Sequence, residues 1–268
     1  EYDIYRQNVP LCHTPVADII FILHLLLYSR QDTFEENPVG SKSEIIIIIS
    51  GDSQEVLMKA VIFAGGELKN PDNIKKYLLQ ADLIICADSG FHHAINLGIV
   101  PHLLLGDMDS ISDEDLEKAK SLGVEMQDFP REKDFTDTML ALETAIARGA
   151  TCATLLAGLG DRPDHSLANI LLMVHSKKMG IDLKLAGENW EMFLIFDHLE
   201  IPGQKGDLLS LIPLSEEAVE VETQGLYYPL KKESIPLGAP RGISNVFTCE
   251  KAVVKLKKGI LLAVKVVE

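Results

Sequence analysis

Asp107 and Asp109 stand one residue apart at the end of an apolar run, "LLLGDMDSI" at 103–111. Two like charges about 4 Å apart repel by roughly 4 kcal/mol at an effective dielectric near 20, so the pair needs open water or a cation. Other runs end in the same chemistry: Gly65-Gly66, Asp88-Ser89-Gly90, Asp134-Phe135-Thr136-Asp137, and Gly158-Leu159-Gly160-Asp161-Arg162-Pro163-Asp164-His165. Hard carboxylate oxygens suit Mg²⁺ that keeps water and substrate phosphates in its shell. Glycines at 65, 66, 158 and 160 let backbone N–H groups approach phosphate, and Arg162 offers a two-pronged phosphate contact. Together these residues describe a nucleotide and metal site for phosphoryl transfer, a reaction dominated by positioning and charge neutralisation. No GxxxxGK[ST] loop is present, and no GxGxxG follows the first strand.

Each group also has a plain structural reading. Asp134 is placed to cap a helix, with Asp137 favoured by that helix's dipole. Asp107 and Asp109 suit a turn, and Asp88 suits an N-cap. Ser112 and Asp115 have capping-box spacing, and Arg162 with Asp164 reads as a surface ion pair. His92 and His93 lack a second ligand cluster at zinc spacing and read as ordinary helix residues.

The elements that position these groups follow from periodicity. Strands are expected at 59–64, 82–87, 102–105, 124–127, 151–157 and 181–186, with helices near 71–80, 89–97, 113–122, 136–148 and 164–179. That alternation implies an α/β fold, a mostly parallel sheet with helices on both faces, whose ligands bind beyond the carboxyl ends of the strands. Past Glu188 the helical period stops. Runs at 191–196, 207–213, 218–223, 243–248 and 252–266 read as a small all-β sandwich or barrel. The expected organisation is 58–188 as a nucleotide- and metal-binding domain and 189–268 as the β domain. Strict alternation through Tyr227-Tyr228 would bury one ring and expose the other.

A net charge of −15 and the lack of a basic stripe exclude a nucleic-acid protein. Cys12, Cys86, Cys152 and Cys249 show no CxxC spacing, and Cys86 and Cys152, inside strand-like apolar runs, read as buried reduced thiols of a cytoplasmic protein. The apolar run 19–28 is broken by His24 and is too short to cross a membrane. Residues 1–57 contain no methionine, whereas Met58 opens a clean strand, so 1–57 is expected to be a non-native or disordered extension and the functional protein to begin at Met58.

The motifs "ADSG" (87–90), "GIVPHLLLGDMDSI" (98–111), "KDFTDTMLAL" (133–142), "GLGDRPDHSLANI" (158–170), "GDLLSLIPL" (206–214), "TQGLYYPL" (223–230) and "GISNVFT" (242–248), in this order, resemble the thiamine pyrophosphokinase (thiamine diphosphokinase) family, its bacterial form above all. The resemblance spans 58–268. It implies transfer of the diphosphate of ATP to the hydroxyl of thiamine, by a homodimer with active sites between subunits. Asp107, Asp109 and Asp137 then look like Mg²⁺ ligands, with Asp134 a further catalytic carboxylate. Gly66, Asp88, Ser89, Gly90, Thr136, Gly158, Gly160, Arg162, Asp164, His165 and Asn169 look like the ATP site. The thiamine side falls to Tyr228, Ser244 and Asn245 and matches the β-sandwich. An aromatic face attracts such a flat cation.

Three departures stand out: Ser89 where relatives carry glycine, Asp161 and Pro163 around Arg162, and Tyr228 where some relatives carry tryptophan. A Mg²⁺-dependent phosphohydrolase using Asp107 as nucleophile and a non-catalytic thiamine or nucleotide sensor are the competing readings.

Overall fold

The computed structural model describes residues 57–130, 132 and 134–268. The expectation for 1–57 therefore lies, but for Leu57, outside the described residues.

Six parallel strands form the first half of the fold: β1 (Lys59–Phe63), β2 (Leu83–Ala87), β3 (Leu103–Gly106), β4 (Glu125–Asp128), β5 (Cys152–Leu156) and β6 (Asp182–Ala186). They lie in the order β6-β5-β1-β2-β3-β4. Strict alternation sends their side chains to two cores. Ala60, Ile62, Ile85, Leu103, Leu105 and Leu155 pack under α4 (Asp137–Ala147) and α5 (Pro163–Lys178). Val61, Phe63, Ile84, Cys86, Leu104 and Leu156 pack on the other face under α2 (Gly90–Asn96) and α3 (Asp113–Ser121). Burial on both faces explains why β1, β2, β3 and β5 read as near-continuous apolar runs, whereas β4, at the sheet edge, reads Glu-Met-Gln-Asp with both ends exposed.

Local signals set several helix starts. Ser112 caps α3 by accepting the Asp115 N–H at 3.1 Å, as the spacing suggests. α4 starts differently from the expectation: its cap is Thr136, whose hydroxyl accepts the Met139 N–H at 3.2 Å, and Asp134 lies outside the helix. The helix expected at 71–80 is shorter. A 3₁₀ turn begins at Pro71 and runs into α1 (Lys75–Leu78) before β2 begins.

The sheet continues past β6. β7 (Trp190–Ile195) turns back antiparallel to it, pairing Leu185 with Met192, and β14 (Leu261–Val266), β9 (Leu208–Pro213) and β12 (Asn245–Val246) extend one sheet to ten strands. A second sheet, β11 (Lys231–Pro236), β10 (Glu217–Gln224), β13 (Lys251–Lys255) and β8 (His198–Pro202), completes the sandwich. One strand serves two cores: Leu262 of β14 packs with the helices, while Leu261 and Ala263 point into the sandwich with Ile201, Val221, Phe247 and Val254.

β8 and β11 escape the sequence pattern because each buries one residue only, Ile201 and Ile235, among polar neighbours. The run 252–266 is two strands, β13 and β14, broken at the Lys257-Lys258-Gly259 turn. Among the described residues no helix is long and apolar enough to cross a membrane.

A nearly buried charge network fastens the junction. Glu191 on β7 receives Lys265 of β14 at 2.9 Å and the Tyr77 hydroxyl of α1 at 2.9 Å, and Lys265 also donates to the Pro202 carbonyl at 3.0 Å. Glu191 also lies 3.4 Å from Lys184 Nζ, so Lys265→Met leaves it one weaker cationic partner and should lower stability by about 2 kcal/mol in chemical denaturation. Glu191→Met added to it should restore most of that loss, because the Lys184 side chain that remains is about a third exposed and is solvated there.

Candidate active site

The carboxyl ends of β1, β2 and β5 and the first turns of α4 and α5 enclose a cleft of about 610 Å³. Gly66, Asp88, Ser89, Thr136, Asp137, Gly158, Gly160, Arg162, His165 and Asn169 all line it. Gly90 lies behind the cleft as the buried first residue of α2. Asp107 sits where β3 ends, its Oδ1 accepting the Asp109 N–H at 3.1 Å. Asp109, Asp134 and Asp164 are exposed around the rim. A larger cleft of about 840 Å³ lies at the amino ends of β1, β5 and β6, around Lys59, Cys152 and Asp182, and contains none of the candidate residues.

Asp88 is the most perturbed group in the cleft. Its backbone is left-handed (φ 46°), and it does not cap α2, whose N-cap position is Ser89. Its buried Oδ1 has no hydrogen-bond partner. Burial first, then the charge of Asp137 and a hydrogen bond with it, then the charge of Asp107, lift the Asp88 carboxyl from the usual range to about 7. Two carboxylates in hydrogen-bond contact need a proton between them, or a cation in its place. Gly106 (φ 148°) makes this packing possible, since a Cβ there would overlap the Asp88 carboxylate.

The glycine cradle is held from behind. The Gly66 N–H donates to the Ala157 carbonyl at 2.8 Å, and the Glu67 N–H to the Leu159 carbonyl at 2.8 Å. A side chain at Gly66 would overlap both of those carbonyls, so this glycine is demanded by chain packing as well as by any phosphate. Asn169, buried on α5, donates to the Gly158 carbonyl at 2.7 Å. The Ser166 hydroxyl accepts the Gly160 N–H at 3.1 Å, and His93 Nε2–H donates to the Gly66 carbonyl at 2.7 Å. Burial holds the His93 ring below its ordinary pKa, so near neutrality it stays an uncharged donor.

His93 and Ser166 both line the cleft, and neither is singled out by the motifs; His93 reads there as an ordinary helix residue. Ser89, the departure from glycine, places its hydroxyl in the space a side chain at residue 65 would need.

Arg162 is engaged. Its Nε and Nη2 meet Asp164 Oδ1 and Oδ2 at 3.0 and 2.6 Å, the ion pair that the spacing allows. Both side chains are largely exposed, so the pair contributes little to stability and can be exchanged for another anion.

On the sandwich, Tyr228 and Asn245 line a cavity of about 390 Å³ with Leu230, Arg241 and Ile243. Ser244 is adjacent in sequence, left-handed (φ 53°), with its N–H on Ser210 Oγ at 3.0 Å. Tyr227 and Tyr228 are both exposed, at 66% and 62%, contrary to the expected alternation. They lie in a bend past the Leu226 bridge, where strand periodicity no longer applies. Their rings meet edge to face at 4.8 Å. This cavity shares no lining residue with the acidic cleft.

The donor set fits a hard divalent cation: Asp88, Asp107 and Asp137 interact electrostatically, and one buried carboxylate oxygen is left over. Among the described residues no three His, Cys, Asp or Glu side chains are arranged to hold a metal ion by themselves, so a cation there would draw its other ligands from phosphate and water.

Asp88 also gives a sign for pH dependence. A raised folded-state pKa favours the folded protein while the group stays protonated, an advantage fully present below the ordinary carboxylate range and lost as pH rises through about 7. In EDTA, the melting temperature should therefore fall between pH 5 and pH 8 by more than in Asp88→Asn. A parallel decline in both would show that Asp88 is not the group responsible.

The family model described as "Thiamin pyrophosphokinase, catalytic domain" matches residues 74–185, and "Thiamin pyrophosphokinase, vitamin B1 binding domain" matches 198–261. Thiamine pyrophosphokinase from Bacillus subtilis (strain 168) is 29% identical over 211 residues, covering 78% of this chain and 99% of its own. Thiamine pyrophosphokinase 1 of Oryza sativa subsp. japonica is 26% identical over 62% of this chain and 72% of its own. The crystal structure of the Bacillus subtilis enzyme superposes with a TM-score of 0.70 at 27% identity, covering 78% of this chain and 99% of that one. Thiamin pyrophosphokinase from Candida albicans shares the fold, with a TM-score of 0.68 at 14% identity over 78% of this chain and 89% of its own. With the two models together spanning more than half of its length, the chain belongs to the thiamin pyrophosphokinase family.

Proposed function

We propose that this protein is a thiamine diphosphokinase, transferring the diphosphate of ATP to the hydroxyl of thiamine to give AMP and thiamine diphosphate. The observation that carries the reading is the acidic cleft itself. Asp88 and Asp137 meet in a hydrogen bond beside a braced glycine cradle, with the charge of Asp107 acting on Asp88, an arrangement with an electrostatic deficit that a cation with its polyphosphate would fill.

In this reading Asp107, Asp109 and Asp137 would hold Mg²⁺, with Asp88 hydrogen-bonded to Asp137. The ion would supply neutralisation of the phosphate charge. Gly66, Gly158 and Gly160 keep the phosphate walls of the cleft free of side chains, the Gly66 and Gly160 N–H groups being already bonded to Ala157 and Ser166, with Ser89, Gly90, Thr136, His165 and Asn169 shaping the surrounding walls. Arg162 leaves Asp164 for the phosphates. The thiamine oxygen forms a bond to the β-phosphorus as the bond to the α-phosphate oxygen breaks, AMP departs, and the hydroxyl proton passes to a carboxylate, with Asp134 at the rim one candidate.

Tyr228, Ser244 and Asn245 recognise thiamine. Because their cavity and the cleft have no residue in common, the reading includes a homodimer in which the cleft of one subunit faces the sandwich of its partner. The exposed side chains of Tyr227, Tyr228 and Ile243 are apolar enough to line such an interface. A cytoplasmic location fits Cys86, which is buried as a free thiol. The phosphohydrolase and sensor readings gain no support from the family matches.

The test is product analysis. The protein with ATP, Mg²⁺ and thiamine should give AMP and thiamine diphosphate in equal amounts, and EDTA should abolish both. Inorganic phosphate without thiamine diphosphate would transfer the protein to the hydrolases. Asp137→Asn and Asp109→Asn should each lower kcat by roughly 100-fold or more with unchanged circular dichroism, since each removes a group required for transfer. Near-normal turnover in both would remove the carboxylate assignment.

A further inference from the structure

Asn245 is one of the residues expected to touch thiamine, yet three of the four hydrogen-bonding positions of its carboxamide are already taken. It is 4% exposed. Its Oδ1 accepts the Tyr228 N–H at 3.0 Å and the Val246 N–H at 2.9 Å, and its Nδ2 donates to the Tyr228 carbonyl at 2.7 Å. A carboxamide oxygen has two lone pairs, and both are used. The two main-chain donors also fix the orientation of the amide, since a flipped group would set N–H against N–H.

Tyr228 needs such a clamp. Its ring is exposed, and it lies in a bend outside the strands. The chain on either side is tied down by other means, through Tyr227 N–H on the Val246 carbonyl at 2.8 Å and Leu230 N–H on Thr223 Oγ1 at 2.8 Å. Both main-chain polar groups of Tyr228 itself are met by the Asn245 carboxamide. An aromatic ring that is held in place before its ligand arrives loses less freedom on binding.

We propose that Asn245 is a positioning residue, acting on thiamine through the Tyr228 backbone rather than by direct contact; the inference rests on the thiamine diphosphokinase reading above. Geometry imposes a strict consequence. Whatever Asn245 contributes to thiamine binding passes through the Tyr228 ring, so it disappears once that ring is gone. The substitution Tyr228→Ala leaves the main-chain N–H and carbonyl, and hence the clamp, intact.

The test is a double-mutant cycle on the full chain, read as KM for thiamine, KM for ATP and kcat. Asn245→Ala should raise the thiamine KM by roughly 10-fold, the scale expected for stranding a buried hydrogen-bonding group, while the ATP KM and kcat move by no more than about 2-fold. In the Tyr228→Ala background the same substitution should change the thiamine KM by less than about 2-fold. Effects that multiply in the double variant would mean direct contact and overturn the proposal. So would equal losses in kcat and ATP KM, which would mark a general structural role.

If Asn245→Ala does not fold, Asn245→Asp keeps both acceptor bonds, sets an oxygen against the Tyr228 carbonyl, and should show the same pattern. Amide hydrogen exchange without substrate is read in parallel: the Tyr228 amide should lose protection in Asn245→Ala while the Tyr227 amide keeps its own. Unchanged protection at Tyr228 would refute the clamp. Absence of thiamine turnover in the unmodified chain would instead remove the functional reading and the thiamine role with it, and the exchange data would identify that failure as separate from the clamp.

Discussion

Repulsion among carboxylates at the ends of parallel strands is the constraint on which the rest of the structure turns. Asp88 and Asp137 share a hydrogen bond with Asp107 close by, and one buried oxygen of Asp88 goes unmet. A fold tolerates such a cluster only where a rigid scaffold leaves the groups no room to separate. Here the scaffold is a sheet buried on both faces, with Ile62, Ile85, Leu103, Leu104 and Leu155 fully enclosed just below the cleft. Gly106 lets β3 pass close to the Asp88 side chain, and the left-handed backbone of Asp88 turns the chain at the rim. The strain and the charge are concentrated where a ligand would relieve them, a recurrent property of functional sites.

The division of labour between the two halves has a physical basis. Strand ends of a parallel sheet offer glycine turns and helix starts, which suit phosphate and cations but give little flat apolar surface for a heteroaromatic ring. The sandwich exposes a flat apolar surface of that kind in its Tyr227-Tyr228 bend. The two halves are one hydrogen-bonded sheet, joined at the β6–β7 pairing and stapled by Glu191, Lys265 and Tyr77, so the sandwich is rigidly registered to the cleft within each chain.

Much of this was legible in the sequence, and the parts that were not share a cause. Parallel strands announce themselves because both faces are apolar, and the glycine and aspartate turns follow directly. β8 and β11 stayed hidden because a strand at the edge of a small sandwich buries one side chain in five or six. The helix cap at Thr136 was missed in favour of Asp134 because both are plausible caps and only the chain path separates them. His93, Ser166 and the clamp made by Asn245 act on main-chain groups distant in sequence, so no local spacing encodes them. Residue type can nominate a polar side chain for a site, but its partners decide whether it meets the ligand or braces the residue that does.

The central claim is that the acidic cluster exists to hold a cation with a polyphosphate. Its most direct test is proton release on binding. Adding preformed Mg²⁺–ATP to the protein in weakly buffered solution near pH 6.5, where Asp88 is still largely protonated, should liberate roughly one proton per chain, because a metal-binding carboxylate cluster must give up its proton. Asp88→Asn should bind with much smaller release. Tight binding of Mg²⁺–ATP with no proton released by the unmodified protein would contradict the account, since the nucleotide would then be seated without engaging the carboxylates that the fold forces together.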